Sequence, residues 1–96
     1  MAKTLKWSDS AGEDFHEIIN YLLDNCSFEV ADKFTDDVED ILDQITEQPF
    51  SAPRIMRVRS LRKIQLKPHY SLLYSILDEF IYVMNIVDNR QKPEQI

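Results

Sequence analysis

The chain has 96 residues, enough for one domain, read here as 1–96, with a modest core. Apolar residues make up 44% of it, which suits a folded globule despite a net charge of −6. Its single glycine, Gly12, excludes glycine-rich phosphate loops and dinucleotide fingerprints. Its single cysteine, Cys26, excludes an internal disulfide and a thiolate metal cluster. No stretch approaches the roughly 18 apolar residues of a membrane span. A soluble cytoplasmic protein without a cofactor is expected.

Thr4-Leu5-Lys6-Trp7 alternates polar and apolar residues over a strand's length. Ser8-Asp9-Ser10 then offers a helix N-cap, and Ser10 precedes Glu13 at capping-box spacing. Ala11, Phe15, Ile18, Ile19, Leu22 and Leu23 recur every three or four positions, predicting an amphipathic helix to about Asn25. After a short break, Ser27 is placed to cap a second helix. Ala31, Phe34, Val38, Ile41, Leu42 and Ile45 carry that helix to about Gln48, where Pro49 ends it. So short a connection predicts an antiparallel helical hairpin.

Beyond Pro53 the apolar period falls to two. Residues 54–66 read as strands, Lys67-Pro68-His69 as a turn and Tyr70–Leu77 as a strong strand. Asp78-Glu79 reads as a two-residue hairpin turn, and Phe80–Val87 as a last strand. The expected fold is α+β in the order β-α-α-β-β-β, an N-terminal helical hairpin packed on a small antiparallel sheet.

Charge divides the chain in two. Residues 1–50 hold three lysines against thirteen acids, a net of −10, while residues 51–96 hold eight Lys and Arg against four acids, a net of +4. Arg54, Arg57, Arg59, Arg62, Lys63 and Lys67 follow one another with no acid between them. Such a run is either the solvated face of a sheet or a site for phosphate or an acidic partner. His16 and His69 are far apart and lack a cysteine partner, so no metal site is expected. Guanidinium forks suit a phosphodiester, and metal-free RNA cleavage needs a base and an acid. The candidates are Lys63 or Lys67, His69 and Arg90. Each also has a plain reading, as a strand, turn or tail residue.

The order Trp7-Ser8-x-x-Ala11-x-x-Asp14-Phe15-x-x-Ile18-x-x-Tyr21 resembles the start of the RelE/ParE superfamily of bacterial toxins. So does the second helix, with Ala31, Phe34 and Ile41, ending in Glu47-Gln48-Pro49. The block Arg62-Lys63-Ile64, then Tyr70-Ser71-Leu72-Leu73-Tyr74, then Asn89-Arg90-Gln91-Lys92-Pro93 resembles its close. The resemblance implies the toxin of a type II toxin–antitoxin module, neutralised by a cognate antitoxin and acting on DNA gyrase (ParE-like) or on ribosome-bound mRNA (RelE-like). A toxin fold retained only as a non-toxic interaction module is a third alternative. Under the RNase alternative, Lys63, Arg90 and His69 would be catalytic. A second strand lysine of that branch falls at Gln65, its arginine after Tyr70 at Ser71 and its terminal tyrosine near Ile96. The helical hairpin is more similar to the ParE-like branch. Arg57, Arg59, Arg62, Lys67 and Lys92 are the expected target- or antitoxin-binding residues, and a second copy of the chain is a further partner to consider.

Overall fold

The computed structural model describes residues 4–56, 60–66 and 68–90. In chain order they form β1 (Thr4–Trp7), α1 (Asp9–Asn25), α2 (Phe28–Glu47), β2 (Arg54–Met56), β3 (Leu61–Leu66), β4 (Tyr70–Leu77) and β5 (Phe80–Asp88). The α+β architecture matches the expectation, with the region 54–66 supplying two strands. The strands make one sheet in the order β1-β5-β4-β3-β2. The pairs β2–β3, β3–β4 and β4–β5 are antiparallel, whereas β1 lies parallel to β5 at the edge. The sheet is therefore mixed, not antiparallel throughout.

The corner between β1 and α1 shows why the chain turns where it does. Ser8 N–H still donates to the Val83 carbonyl at 2.9 Å, extending the β1–β5 ladder by one residue. The Ser8 Oγ then accepts from Ala11 N at 2.9 Å and donates to the Met84 carbonyl at 2.7 Å. One hydroxyl thus caps the helix and fixes it to the sheet. The cap is Ser8, and Ser10 lies inside the first turn. At the second helix Ser27 is the cap, its Oγ accepting from Val30 N at 3.1 Å.

The helices cover one face of the sheet. Their inner stripe is Ala11, Leu22, Ala31, Phe34, Val38 and Ile45, packed on Leu66, Leu72, Tyr74, Ile81, Val83 and Ile86. Each large aliphatic side chain taken fully out of water contributes about 1.5–3 kcal/mol before chain entropy is counted. A chain of rings crosses this interface. Trp7 meets Phe15 edge-on at 6.0 Å, Phe15 stacks on Phe34 at 6.0 Å, and Phe34 meets Tyr70 edge-on at 5.2 Å.

Register decides which side chains face the helices. Arg62, Ile64 and Leu66 lie opposite Tyr74, Leu72 and Tyr70, while Leu61, Lys63 and Gln65 lie opposite Ser75, Leu73 and Ser71 on the other face. In β5 the spacing of Ile81, Val83 and Ile86 breaks the two-residue period. A bulge repairs it: Tyr74 pairs with Val83 and Leu73 with Asn85, leaving Met84 as the extra residue. At the β4–β5 turn Asp78 takes φ 52°, a left-handed conformation that Asp tolerates better than most residues. Among the described residues, no helix is long and apolar enough to cross a membrane.

Candidate functional site

The candidate residues fall into three settings. Arg57, Arg59, Lys67 and Lys92 lie outside the described residues. Arg62, Lys63, His69 and Arg90 are described; His69 and Arg90 lie on adjoining turns, and Arg62 and Lys63 stand apart from them.

Arg62 faces inward, toward the loop that follows α2. Its Nη1 donates to the carbonyls of Phe50 and Ala52, and its guanidinium carbon sits 5.1 Å from the centre of the Phe50 ring. Its cross-strand neighbour Tyr74 donates from its hydroxyl to the Pro49 carbonyl at 2.7 Å. The pair closes the passage from α2 into β2 by satisfying three loop carbonyls. Burial raises the Tyr74 phenol above its ordinary pKa, with the nearby Arg62 charge opposing. Arg62 was expected on a partner-facing surface; its guanidinium is engaged within the protein.

Lys63 lies on the opposite face of the sheet, half-buried, across from Leu73. No described helix covers that face. Leu77, Phe80 and Val87 on it are 49%, 37% and 36% exposed, beside partly covered Leu61, Leu73 and Tyr82. Lys6 lies over the Phe80 ring, 4.3 Å from its centre. The described strand residues of this face include two lysines and no acid. The acids of α2, by contrast, crowd its outer side, where Asp32, Asp36, Glu39, Asp40 and Asp43 are exposed. Among the described residues, Lys6 and Lys63 thus lie on the side of the sheet opposite the acids of α2.

Arg90 and His69 sit at the end of the sheet, on two adjoining turns. Asn89 N–H donates to the His69 carbonyl at 2.6 Å, and Ser71 Oγ donates to Asn89 Oδ1 at 2.9 Å. Arg90 holds Asp88 in a fork, Nε to Oδ1 at 3.0 Å and Nη2 to Oδ2 at 2.9 Å, and lies 5.8 Å from the centre of the Tyr70 ring. These hydrogen bonds keep the Asp88 carboxyl below its ordinary pKa, and the same contact raises that of Arg90. Burial raises the Tyr70 phenol, and the Asp88 charge adds to the effect. Tyr70 points to the helix side, where it meets Phe34. The strand row of Lys63 is three residues from the row of Leu66, Tyr70 and Asp88, roughly 10 Å along the sheet. Lys63 therefore stands apart from Arg90 and His69 both in height and in face.

Two residues with work at this end were not among the candidates. Asp88 closes the Arg90 fork; an acid two positions before an arginine at a strand end is the signal that marks it. Asp14, on α1, accepts from Ile86 N–H at 3.0 Å and from Asn85 Nδ2 at 3.1 Å, where β5 outruns β1. Ser8 and Asp14 together explain the Trp7-Ser8-x-x-Ala11-x-x-Asp14 spacing, since both clamp α1 to β5. Among the described residues, no three His, Cys, Asp or Glu side chains gather as a metal site.

The chain is thus a helical hairpin on one face of a mixed five-stranded sheet, and no described helix covers the other face. Residues 5–93 match the family model of the ParE toxin of the type II toxin–antitoxin system parDE. The chain belongs to that family. Among solved structures it resembles one from the chromosomal ParDE system of P. aeruginosa. There the TM-score is 0.76 at 20% identity, over 91% of this chain and 96% of that one. It resembles a chain of the RelBE2 toxin–antitoxin complex of Mycobacterium tuberculosis with TM-score 0.63 and 15% identity, over 92% and 99% of the two chains. For the E. coli DinJ–YafQ toxin–antitoxin complex the values are 0.64 and 8%, over 94% and 96%. No curated protein sequence matches the chain.

Proposed function

We propose that the chain is a cytoplasmic ParE-like toxin that inhibits DNA gyrase and is held inactive by a cognate antitoxin. The observation that carries this reading is the family match, which spans residues 5–93 and so covers helices, sheet and terminal turn together. Three related folds come from toxin–antitoxin systems or complexes, which supports a protein partner. The uncovered sheet face supplies a surface for it: apolar along the middle, with Lys6 and Lys63 suited to an acidic, amphipathic segment. Arg57, Arg59, Lys67 and Lys92, which lie outside the described residues, are proposed as further target- or antitoxin-binding residues. Arg62 would act there indirectly, through the loop it holds. The distance between Lys63 and the Arg90–His69 end counts against a concerted RNase site.

The test is a supercoiling assay with purified gyrase, run beside a translation reaction in which mRNA ends are mapped. Inhibited supercoiling with intact transcripts, relieved by the co-expressed antitoxin, is the expected result. Unaffected gyrase with transcripts cut in the ribosome would overturn it. Lys6→Glu with Lys63→Glu should weaken antitoxin binding at least about tenfold, the scale of a like-charge contact at an interface. Unchanged binding would remove the sheet face from the proposal.

A further inference from the structure

The Asp88 carboxylate receives three donors from one residue. Arg90 supplies its backbone N–H to Oδ1 at 2.8 Å, its Nε to Oδ1 at 3.0 Å and its Nη2 to Oδ2 at 2.9 Å. A planar guanidinium edge and a backbone N–H converging on two oxygens is a geometry that also receives a phosphate. The frame around it is fixed independently of the ion pair. Asp88 is in register with Tyr70, and Asn89 is tied to His69 and Ser71. The Tyr70 hydroxyl accepts from Nη2 at 3.5 Å, and its own O–H is a further donor beside the fork. His69 stands on the adjoining turn, its carbonyl accepting from Asn89 N–H at 2.6 Å. Asp88 is the carboxylate whose charge acts on both Arg90 and Tyr70. Without it the turn would present a cation, a phenol and an imidazole.

We propose that the turn from Asp88 to Arg90 is a phosphate-binding site whose resident occupant is the protein's own Asp88. The carboxylate competes with an incoming phosphate for the Arg90 fork, so the intact chain binds phosphate weakly and selectively. The ion pair is exposed, with Arg90 and Asp88 side chains 46% and 21% accessible. Water screens such a pair, so a ligand carrying more charge than a carboxylate can displace it. This goes beyond the toxin reading and holds whatever the target is.

Asp88→Asn tests it, because the amide oxygen still accepts the Arg90 N–H and preserves the turn while the charge is removed. Phosphate binding is followed by the NMR shifts of the Asn89 and Arg90 amides, with inorganic phosphate as one probe and a short single-stranded oligonucleotide as the other. Asp88→Asn should tighten binding about fivefold or more, and adding Arg90→Gln should abolish the gain. Asp37→Asn is the control, since it removes the same charge from the other described ion pair, Lys33–Asp37 on α2. Equal tightening by Asp37→Asn, or a gain that survives Arg90→Gln, overturns the proposal. A gain with both probes through Arg90 assigns a bare phosphate group; a gain with the oligonucleotide alone assigns a nucleic-acid backbone. Should Asp88→Asn fail to fold, Arg90→Gln in the otherwise natural chain decides. The weak phosphate shifts at residues 89 and 90 must then vanish, and their persistence refutes the site.

Discussion

Replacing Asp14 with alanine removes the acceptor that closes the free edge of β5. The carboxylate accepts from Ile86 N–H at 3.0 Å and from Asn85 Nδ2 at 3.1 Å, just where β1 has ended and no described strand is left to pair. Ile86 is 4% exposed, so water cannot replace the lost bond easily. Hydrogen bonds to a charged group contribute about 1.5–3 kcal/mol, and a buried donor left alone costs a similar amount. Alanine's better helix propensity returns about 0.5 kcal/mol. The net loss should be about 2 kcal/mol, which for a domain of this size lowers Tm by about 10 °C. Asp14→Asn keeps one acceptor and should lose about half as much. Urea denaturation followed by circular dichroism gives the stability, and hydrogen exchange at Ile86 gives the local effect. A loss below about 0.5 kcal/mol, or unchanged protection of the Ile86 amide, would refute the assignment.

Three other perturbations test separate parts of the structure. Arg62→Ala should destabilise the fold by about 1–2 kcal/mol, because two loop carbonyls and the Phe50 ring lose their partner; a loss of binding with stability untouched would instead place Arg62 at an interface. Ser8→Ala should cost about 1–2 kcal/mol and more than Ser27→Ala, since Ser8 Oγ both caps α1 and reaches the Met84 carbonyl; equal losses in urea titrations would count against the second bond. For Asp88 the sign follows from its lowered pKa. Its contribution is fully present above the unfolded-state value near pH 4 and is lost as pH falls through the folded value. The stability difference between the natural chain and Asp88→Asn should therefore shrink on acidification from pH 5 to pH 2, and a constant difference would exclude a native ion pair.

Much of the fold is legible in the residue pattern, because its elements are bounded by local chemistry. Ser27 and Pro49 bracket α2, and Asp78-Glu79 makes the hairpin turn where polarity interrupts two apolar runs. The partner of β1 is not legible. Nothing in four alternating residues says which edge of the sheet they join or in which direction. The bulge at Met84 is hidden too, since Phe80–Val87 is apolar almost throughout and offers no alternation to break. At the terminal turn, Arg90 is conspicuous as a cation, whereas its partner Asp88 reads as an ordinary strand end until the fold brings the two together.

The basic run shows most clearly what register adds to composition. Arg62 and Lys63 are adjacent and equally charged, yet one pleat sends Arg62 into the loop after α2 and Lys63 to the uncovered face. Arg90, the other described cation among the candidates, is neutralised by its own neighbour. Of the six cations from Arg54 to Lys67, three are described: Arg54 is exposed, Arg62 is engaged with the loop, and Lys63 joins Lys6 on the open face. Two lysines beside exposed Leu77, Phe80 and Val87 make a face on which apolar burial must supply most of the affinity, with charge setting orientation and choice of partner. An acidic protein can use such a face without a basic exterior, because many of its acids lie on the outer side of α2, behind the sheet, with Asp78 and Glu79 at the β4–β5 turn as the acids bordering Leu77 and Phe80.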